Sequence, residues 1–471
     1  MGAVTREGYY KIALGLVACP VVGCIVWLSL NVRNLGWRFE YLQPALELDY
    51  VMGIFMWAVF AVGILIVGGN WRRMLLLGWI GKLFVLLVAM LFYEEHYEAD
   101  AIAYFSFRLT GEHYNYDASG LSSFDLIADL ISGIMVPFEM DVYNDGGMPN
   151  FRNKPMENFL ALFALVTSVM PPYFHALKVG VAFIGFMGSW CFYRAVVVAL
   201  GREYPAAFYL LAFFPSIIFW SSVLGKDPLI FLFLGLYAYG GALWLVQGRL
   251  TALGIVGVGL LGATLIRPWM GIVGAVSLVV ANMLGRCRPR QVAAIVLASA
   301  LVLPFYWEEA SSRFRDLVIM EVIQQRVEGV AGDTAKSSGS GAQLPDLQGE
   351  EPSTLLPLIV FSGLFRPLPF DITNPFTALA AVENSVVLLL AVAAIHRFRL
   401  AYLRDPLVLW PILFSLMWAA LYGLVVMANF GSGVRYKLQT MPFLLLVVML
   451  LTHREGRALL ASRISGKKKE R

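Results

Sequence analysis

The sequence is poor in charged residues, which make up only 14% of its 471 positions. A soluble domain carries roughly 25% charged residues, so this composition excludes an ordinary soluble protein. Hydrophobic residues supply 59% of the chain, and the mean hydropathy is +0.70. These values predict an integral membrane protein. The long apolar runs favour α-helices over the alternating strands of a barrel.

Residue types that commonly hold metals or form disulfides are also scarce. The chain has four cysteines and five histidines, and none lies at a spacing that indicates a disulfide framework or a zinc site. The net charge of +4 is small and gives no indication of a surface for nucleic acid. The sequence therefore requires no cofactor, although it leaves a divalent metal open.

We predict an all-α polytopic membrane protein, in which residues 1–471 form a single transmembrane domain. About twelve apolar runs approach the roughly 20 residues that a helix needs to cross a bilayer. No internal repeat is evident along the chain. The predicted spans are 11–31, 51–69, 74–93, 174–199, 203–222, 226–247, 250–266, 268–285, 291–306, 376–396, 407–428 and 437–452.

Lysines and arginines in the short loops predict the orientation of these spans, because cytoplasmic loops are enriched in both. By this rule both termini are cytoplasmic, and residues 453–471 form a basic cytoplasmic tail. Arg33 and Arg38 lie on the predicted outer side of the membrane, against this rule. The basic residues that agree on the cytoplasmic side are Arg72, Arg73, Arg194, Arg202, Arg249, Arg286, Arg288, Arg290, Arg397, Arg399, Arg404 and those of the tail.

Two long segments, 94–173 and 307–375, then fall on the outer side of the membrane. In the first, residues 124–140 alternate apolar stretches with acidic residues, which predicts an amphipathic helix at the interface. We predict a re-entrant or interfacial helix for residues 156–170, since a full crossing there would reverse the side of every later loop. In the second, residues 328–353 are rich in Gly, Ser, Asp and Gln, which is typical of a mobile loop.

The first outer segment opens with a cluster of acidic residues that runs from Glu94 to Asp100. Carboxylates this close to the end of a membrane helix are costly against lipid, so they should face water or a protein cavity. A carboxylate in such a place can act as a base, bind a metal or be solvated. Our hypothesis is that Asp100 does chemistry at the membrane surface.

Cationic residues lie at the predicted outer ends of later spans. Arginine offers a planar fork that suits phosphate oxygens, and a pyrophosphate group needs two or three such donors. These cations predict a site for a phosphate group near Asp100. They stand in four polar turns: Lys226 beside Asp227, Arg267 before Pro268 and Trp269, Arg366 before Pro367, and Arg435 before Tyr436.

Each of these residues also has a structural explanation that the sequence leaves open. Lys226 and Asp227 could pair only with each other at a helix start. Arg267 and Arg366 could be arginines at the membrane edge whose charged ends reach toward water. Glu383 lies within a predicted span and could be a satisfied core carboxylate, although an acid inside the membrane indicates a function by default.

Four short motifs carry a resemblance to a known class of enzymes. They are Ala99 to Tyr104, Phe214-Pro215-Ser216 to Lys226-Asp227, Phe365-Arg366-Pro367, and Arg435-Tyr436-Lys437 with Pro442. Together they resemble polytopic glycosyltransferases of the GT-C class, which use polyprenyl-phosphate-linked sugars outside the cytoplasmic membrane. The resemblance covers residues 74–452. It departs from the class in two ways: the long loop follows the third span instead of the first, and Asp100 lacks the partner of a paired Asp-Asp or Asp-Glu motif.

The resemblance implies that a cationic pocket holds the donor phosphate while a carboxylate removes a proton from the acceptor hydroxyl. Asp100 is then the expected base, and Arg366, Arg435, Arg267 and Lys226 are the expected phosphate ligands. The residues expected to support them are Asp227, Glu383, Tyr104, Tyr436 and Trp269.

The implied partners are a polyprenyl-linked sugar or glycan donor, a glycan, lipid or protein acceptor, and the lipid bilayer, with no nucleic acid. The implied location is a bacterial cytoplasmic membrane, with the active site on its periplasmic side. The same residues also suit a repeat-unit polymerase or ligase similar to Wzy polymerases and O-antigen ligases. A transporter or flippase is the main alternative that is not an enzyme, and it should place polar groups near the bilayer midplane on broken helices.

Overall fold

The computed structural model describes residues 46–96, 100–113, 116–135, 140–145, 148–285 and 352–464. Over these ranges the chain is helical apart from turns, connecting segments and two short antiparallel hairpins. The predicted spans 11–31 and 291–306 lie outside the described ranges. So does the predicted mobile loop over 328–353, except for its last two residues, which begin a helix.

The N-terminal half of the described chain alternates helices with the two hairpins. In the hairpins, Glu112 lies opposite Asp117 and Met140 lies opposite Asn153. The strands are β1 (Glu112–His113), β2 (Tyr116–Asp117), β3 (Met140–Asp145) and β4 (Met148–Asn153). The helices are α1 (Leu46–Val67), α2 (Arg72–Phe84), a π-helical turn (Val85–Ala89), α3 (Met90–His96), α4 (Asp100–Thr110), α5 (Ser123–Met135), α6 (Lys154–Thr167) and α7 (Phe174–Leu200).

The C-terminal half is built from helices joined by short turns. Its 3₁₀ turns cover Pro369–Asp371, Leu400–Arg404 and Lys437–Gln439. The helices are α8 (Pro205–Phe213), α9 (Pro215–Trp220), α10 (Lys226–Gln247), α11 (Thr251–Ile266), α12 (Pro268–Leu284), α13 (Pro352–Phe365), α14 (Pro375–His396), α15 (Pro406–Ala428), α16 (Phe430–Tyr436), α17 (Met441–Thr452) and α18 (Arg454–Ile464).

Several described helices have the length and composition of membrane spans. A bent pair, Phe430–Gln439 and Met441–Thr452, meets the same criteria with a bend of 61° between its halves. The described residues therefore form a helical membrane protein with five candidate spans, or six if the bent pair is one span. The five single candidates are Leu48–Val67, Phe174–Leu200, Lys226–Gln247, Pro375–His396 and Pro406–Met427.

Other predicted spans take a shorter or interrupted form. Helices α11 and α12 are apolar but shorter than the five candidates. The predicted span 74–93 is helical throughout, with the π-helical turn in its second half. The predicted span 203–222 is not one helix, because α8 ends at Phe213 and α9 begins at Pro215.

Prolines determine where many of these helices begin. A proline in the first turn has a helical φ already and lacks an N–H that would otherwise go unsatisfied. The residue before it is pushed out of the helical region. Accordingly, Phe214 has φ −60° and ψ 125°, and Arg267 has φ −143° and ψ 91°. The helices that begin at a proline are α8, α9, α12, α13, α14 and α15.

Helix α5 occupies most of the segment predicted to be an interfacial helix. Its Phe124 and Ile131 side chains are 84% and 58% exposed. At its start, the backbone N–H of Ser122 donates to the carboxylate of Asp125 at 2.8 Å. Hydrogen bonds from Ser122 hold the pKa of Asp125 below its usual range. Exposed apolar side chains next to a capped, acidic start suit a membrane interface. That placement stays a prediction, as does the interfacial placement of the 14-residue α6.

Contacts divide the chain into two compact units. The first comprises residues 1–128, 160–187 and 221–229, and the second comprises 129–159, 188–220 and 230–471. Of the expected site residues, the first unit holds Asp100, Tyr104, Lys226 and Asp227, and the second holds Arg267, Trp269, Arg366, Glu383, Arg435 and Tyr436.

A pair of tryptophans joins the helices of the first unit. The indole N–H of Trp57 in α1 donates to the backbone carbonyl of Trp79 in α2 at 3.1 Å, and that of Trp79 donates back to Trp57 at 3.1 Å. The Phe183 ring of α7 meets the Trp79 ring edge-on at 5.2 Å. Buried aromatic packing and satisfied indole groups therefore fix α1, α2 and α7 together.

A tyrosine hydroxyl joins three helices of the second unit. Tyr237 of α10 donates to the backbone carbonyl of Gly274 in α12 at 2.6 Å and accepts the indole N–H of Trp410 in α15 at 2.6 Å. Nearby, the Phe414 and Phe443 rings stack at 4.1 Å, which adds α17 to this core. The Tyr237 hydroxyl and the Trp410 indole N–H are therefore both satisfied within this core.

Helices α13 and α15 pack with their backbones close together at two glycines. A Cβ at Gly363 would come within 2.8 Å of the carbonyl oxygen of Ala419. A Cβ at Gly423 would collide with the carbonyl oxygen of Ile359. Because the obstacle is backbone in both cases, no side-chain rotation can relieve it, and the helix pair depends on these glycines.

We predict that Gly423→Ala destabilises the protein by about 1–3 kcal/mol, because overpacking forces the two helices apart. The matched control is Gly254→Ala, at a helical glycine where a Cβ would meet nothing within 4 Å. That control should be neutral or slightly stabilising. Thermal unfolding in detergent measures both, and equal melting temperatures for the two variants would contradict the close approach.

Candidate functional site

The second unit gathers polar residues around residues 429–440, which we name the 429–440 segment. The Asn429 side chain caps α16 by accepting the backbone N–H of Ser432 at 3.1 Å. The 3₁₀ turn Lys437–Gln439 then leads to the bend before α17. A bend in an otherwise apolar helix pair leaves room for polar side chains, which hydrogen-bond to neighbouring segments.

Lys437 is the most buried cation of this segment, with 1% of its surface exposed. Its ammonium donates to the backbone carbonyl of Arg366 and to the side-chain oxygen of Asn384, the latter at 3.0 Å. The amide N–H of Asn384 in turn donates to the carbonyl of Pro367 at 3.0 Å. Lys437 and Asn384 therefore hold the Arg366–Pro367 turn against α14.

Arg366 is held by a carboxylate five residues later. Its Nε donates to Oδ2 of Asp371 at 3.0 Å, and its Nη2 donates to Oδ1 of the same group. The Arg366 side chain keeps 18% exposure, whereas that of Asp371 keeps 5%. Two of the five N–H groups of the guanidinium are thus used along one edge of the planar fork. Asp371 balances the charge of Arg366 and fixes its orientation.

Arg267 lies in an aromatic environment at the α11–α12 junction. Its Nη1 donates to the hydroxyl of Tyr422 at 2.8 Å, and its guanidinium lies 4.1 Å from the centre of the Tyr436 ring. The indole N–H of Trp269 donates to the same Tyr422 hydroxyl at 2.6 Å. Stacking and hydrogen bonding therefore place a buried cation beside the 429–440 segment.

Arg435 and Glu383 complete this polar group. The Arg435 guanidinium lies 5.9 Å from the centre of the Trp220 ring. The Glu383 carboxylate accepts the backbone N–H of Ser216, in the first turn of α9, at 2.8 Å. An acid at the positive end of a helix is favourable, so Glu383 has the contacts of a satisfied core carboxylate.

The structure thus brings together all the expected site residues of the second unit. Arg267, Arg366, Arg435 and Tyr436 lie on or beside the 429–440 segment, and Glu383 is next to Asn384. Positive charge combined with aromatic rings can hold an oxyanion and the face of a sugar ring. We call this group the 429–440 cluster; its members are Arg267, Trp269, Arg366, Asp371, Glu383, Asn384, Tyr422, Arg435, Tyr436 and Lys437.

In the first unit, Asp100 is exposed and begins α4. A carboxylate in the first turn of a helix is stabilised by the backbone N–H groups there. Tyr104, one turn later, is buried, with its ring centre 6.1 Å from that of Phe163. Tyr104 therefore belongs to the core of this unit, whereas the Asp100 carboxylate can be reached from outside it.

Lys226 and Asp227 begin α10, directly after a polar turn over residues 221–225. Ser221 in this turn accepts a hydrogen bond from the ammonium of Lys82 at 2.6 Å. A Cβ at Gly185 would collide with the carbonyl oxygen of Ser221, so α7 packs directly on the turn. The sequence predicts that this turn lies at the outer ends of its neighbours. In the structure it contacts the last turn of α2, through Lys82, and the middle of α7, at Gly185.

Two further buried ionic contacts lie in the first unit. The ammonium of Lys178 donates to both oxygens of Glu94, at 2.8 and 3.1 Å. The Asp49 carboxylate accepts the backbone N–H of His175, at the start of α7, at 3.1 Å. Asp49 thus stabilises the N-terminus of α7 from another helix, and Glu94 compensates a lysine one turn further along.

Sequence reasoning missed several residues that carry these contacts: Asp49, Lys82, Lys178, Asp371, Asn384 and Lys437. Lys82 had a signal, because it is the only charged residue between Met74 and Tyr93. The sequence also contains a signal for Lys437, because it ends the motif Arg435-Tyr436-Lys437, in which only the first two residues have a predicted role. No local signal paired Lys178 with Glu94, since their contact spans 84 residues of sequence.

Within the ranges that the structure describes, no group of three or more His, Cys, Asp or Glu side chains is placed to hold a metal ion. Comparison of the chain with protein-family models, curated proteins and solved structures found no match. Interpretation of the site therefore depends on its geometry and on the chemistry of its residues.

We predict that Glu94→Gln and Lys178→Met each destabilise the protein by about 3–5 kcal/mol, because each leaves a buried charge without its partner. The double variant should recover most of that loss, since it removes both charges. Equilibrium unfolding of the four proteins gives the coupling energy. Additive effects of the two single changes would show that the pair does not act as a unit.

Proposed function

We propose that the protein is a membrane glycosyltransferase that moves a sugar or glycan from a polyprenyl-phosphate or polyprenyl-pyrophosphate donor to an acceptor hydroxyl. The reaction takes place on the outer face of a bacterial cytoplasmic membrane, during polysaccharide or glycan assembly. No cofactor is required for this chemistry, and a divalent metal is compatible with it. The proposal depends on one observation above all: the 429–440 cluster collects cations and aromatic rings inside an otherwise apolar, helical unit.

Arg366 illustrates why the cluster suits a phosphate group. Asp371 occupies one edge of its guanidinium, so the N–H groups of the opposite edge point away from that carboxylate. The side chain is partly exposed, and Asp371 prevents it from rotating. An arginine that is fixed in this way can bind a phosphate through two parallel hydrogen bonds at little cost in side-chain entropy.

The transfer itself needs a base and a stabilised leaving group. The acceptor oxygen attacks the anomeric carbon, and the bond from that carbon to the donor phosphate oxygen breaks. The phosphate leaves with the electron pair. Arg435, Arg267 and Lys226 are the proposed groups that balance its charge, and Arg366, whose own charge Asp371 balances, is a proposed hydrogen-bond donor to its oxygens. Asp100 is the proposed base that takes the proton of the acceptor hydroxyl. A repeat-unit polymerase or ligase would use the same steps with a glycan acceptor.

A transporter or flippase of lipid-linked glycans is the second candidate. The bend of 61° between Phe430–Gln439 and Met441–Thr452 favours it, because broken helices commonly form substrate sites in carriers. Lys437 at this break and Glu383 within α14 are charges of the kind that carriers place in their pathways. Release of polyprenyl phosphate separates the two functions, since a carrier moves the donor without cleaving it.

We predict that Asp100→Asn abolishes the release of polyprenyl phosphate from a panel of polyprenyl-phosphate monosaccharides, assayed in proteoliposomes with a panel of glycan and lipid acceptors. The amide cannot accept the acceptor proton, so the loss should be at least about 100-fold, the usual contribution of a general base. The melting temperature should not change, because Asp100 is exposed. The matched control is Glu112→Gln, which removes another exposed carboxylate. Near-normal turnover in Asp100→Asn would remove Asp100 from the base role.

We predict that Arg435→Lys weakens donor binding about tenfold or more, because lysine cannot reproduce the planar fork. The affinity for polyprenyl phosphate in nanodiscs measures this loss. Arg249→Lys is the control, because Arg249 is an exposed arginine in a short loop outside the 429–440 cluster. Equal affinities for wild type and Arg435→Lys would exclude Arg435 as a phosphate ligand.

A further inference from the structure

Lys82 is a buried cation that the proposed transfer reaction does not use. It is the only charged residue between Met74 and Tyr93, and only 3% of its surface is exposed. Among the described residues its ammonium makes one hydrogen bond, to the hydroxyl of Ser221 at 2.6 Å. A lysine ammonium has three N–H donors, so this bond satisfies one of them.

The three other buried lysines of the described chain are better compensated. Lys154 has the carboxylate of Glu157 at 3.4 Å. The ammonium of Lys178 donates to the two carboxylate oxygens of Glu94, at 2.8 and 3.1 Å. Lys437 donates to a backbone carbonyl and to an amide oxygen. Lys82 reaches no carboxylate within the described part of the chain and has only a neutral hydroxyl. Burying a charge costs several kcal/mol unless an opposite charge offsets it.

Within the described ranges, the residues that follow Ser221 add no net negative charge. The turn over residues 221–225 leads into α10, a helix of 22 residues whose N-terminus is the positive end of its dipole. Lys226 and Asp227 follow in its first turn, and their charges sum to zero. Ser222 beside Ser221 is fully buried and carries a second hydroxyl. An anion that binds the Lys82 ammonium would therefore supply the opposite charge that the described residues do not.

We propose that Lys82 and Ser221 form a binding site for an oxyanion, the phosphate or carboxylate group of a ligand. The ammonium supplies charge and two N–H donors beyond the bond to Ser221, and that bond fixes its position. Lys226, directly after the turn, is partly buried, whereas residues 221–225 are buried. This site belongs to the first unit and does not depend on the glycosyl-transfer function.

The test compares melting temperatures of the purified full chain in detergent. Inorganic phosphate, pyrophosphate and acetate are titrated at constant ionic strength against a chloride reference. A bound anion stabilises the folded state in proportion to the logarithm of its concentration. We expect one of these anions to raise the melting temperature of the wild type in this way. Phosphate and acetate distinguish a phosphate ligand from a carboxylate ligand.

Lys82→Met should abolish the anion-dependent rise in melting temperature. In chloride alone, this variant should melt at or above the wild-type temperature, because an apolar chain replaces an uncompensated charge. Lys82→Arg should retain the rise, and Ser221→Ala should reduce it.

Lys178→Met is the matched control, since it removes a buried lysine that has its own carboxylate. It should melt below the wild type in every buffer and keep the anion-dependent rise. The proposal is overturned if no anion stabilises the wild type, or if Lys82→Met responds to anions as the wild type does. A Lys82→Met chain that is less stable than wild type in chloride, or does not fold, also overturns it, because Lys82 would then have its partner within the protein.

Discussion

The cost of burying a lysine charge among apolar helices is the constraint that organises the described structure. Lys82, Lys178 and Lys437 are each at most 3% exposed, and each reaches across to a distant segment for its acceptors. Lys178 donates to the carboxylate of Glu94, and Lys437 donates to a backbone carbonyl and a side-chain amide oxygen. Lys82 donates to the hydroxyl of Ser221. In a medium of low dielectric constant such contacts are strong, so they fix the packing of the helices that carry them.

Interruptions of the helices create the places where these contacts form. At Phe214 and Arg267 one helix ends, and the next begins at the proline that follows. At the end of the 429–440 segment, a bend separates the apolar helices Phe430–Gln439 and Met441–Thr452. Backbone that leaves the helix inside a membrane must find protein partners or a water-filled cavity. The breaks therefore coincide with the polar clusters.

Local pattern predicted the helices well and the contacts poorly. Long apolar runs predict α1, α7, α10, α14 and α15, because hydropathy is read from residues that are close together in the sequence. The division of 203–222 could have been foreseen from Pro215, which was instead counted as part of a motif. Arg366, Arg435 and Arg267 were chosen for their chemistry, and the structure places them together around the 429–440 segment.

Other features depend on residues far apart in the sequence. Ser221 meets Lys82 across 139 residues, and Lys437 meets Asn384 across 53. Nothing in a local window encodes such a pairing. For the same reason, the sequence does not show that the turn over 221–225 contacts the last turn of α2 and the middle of α7.

The central claim is that this protein holds the phosphate of a polyprenyl-linked donor. Native mass spectrometry of the full chain, purified gently from a bacterial membrane, tests it without knowledge of the sugar or the acceptor. The account predicts that polyprenyl phosphate or polyprenyl-pyrophosphate lipids remain bound to the wild type, and that they are lost when Arg366 and Arg435 are both replaced by glutamine. Retention of bulk phospholipids alone, equally in both proteins, would contradict it.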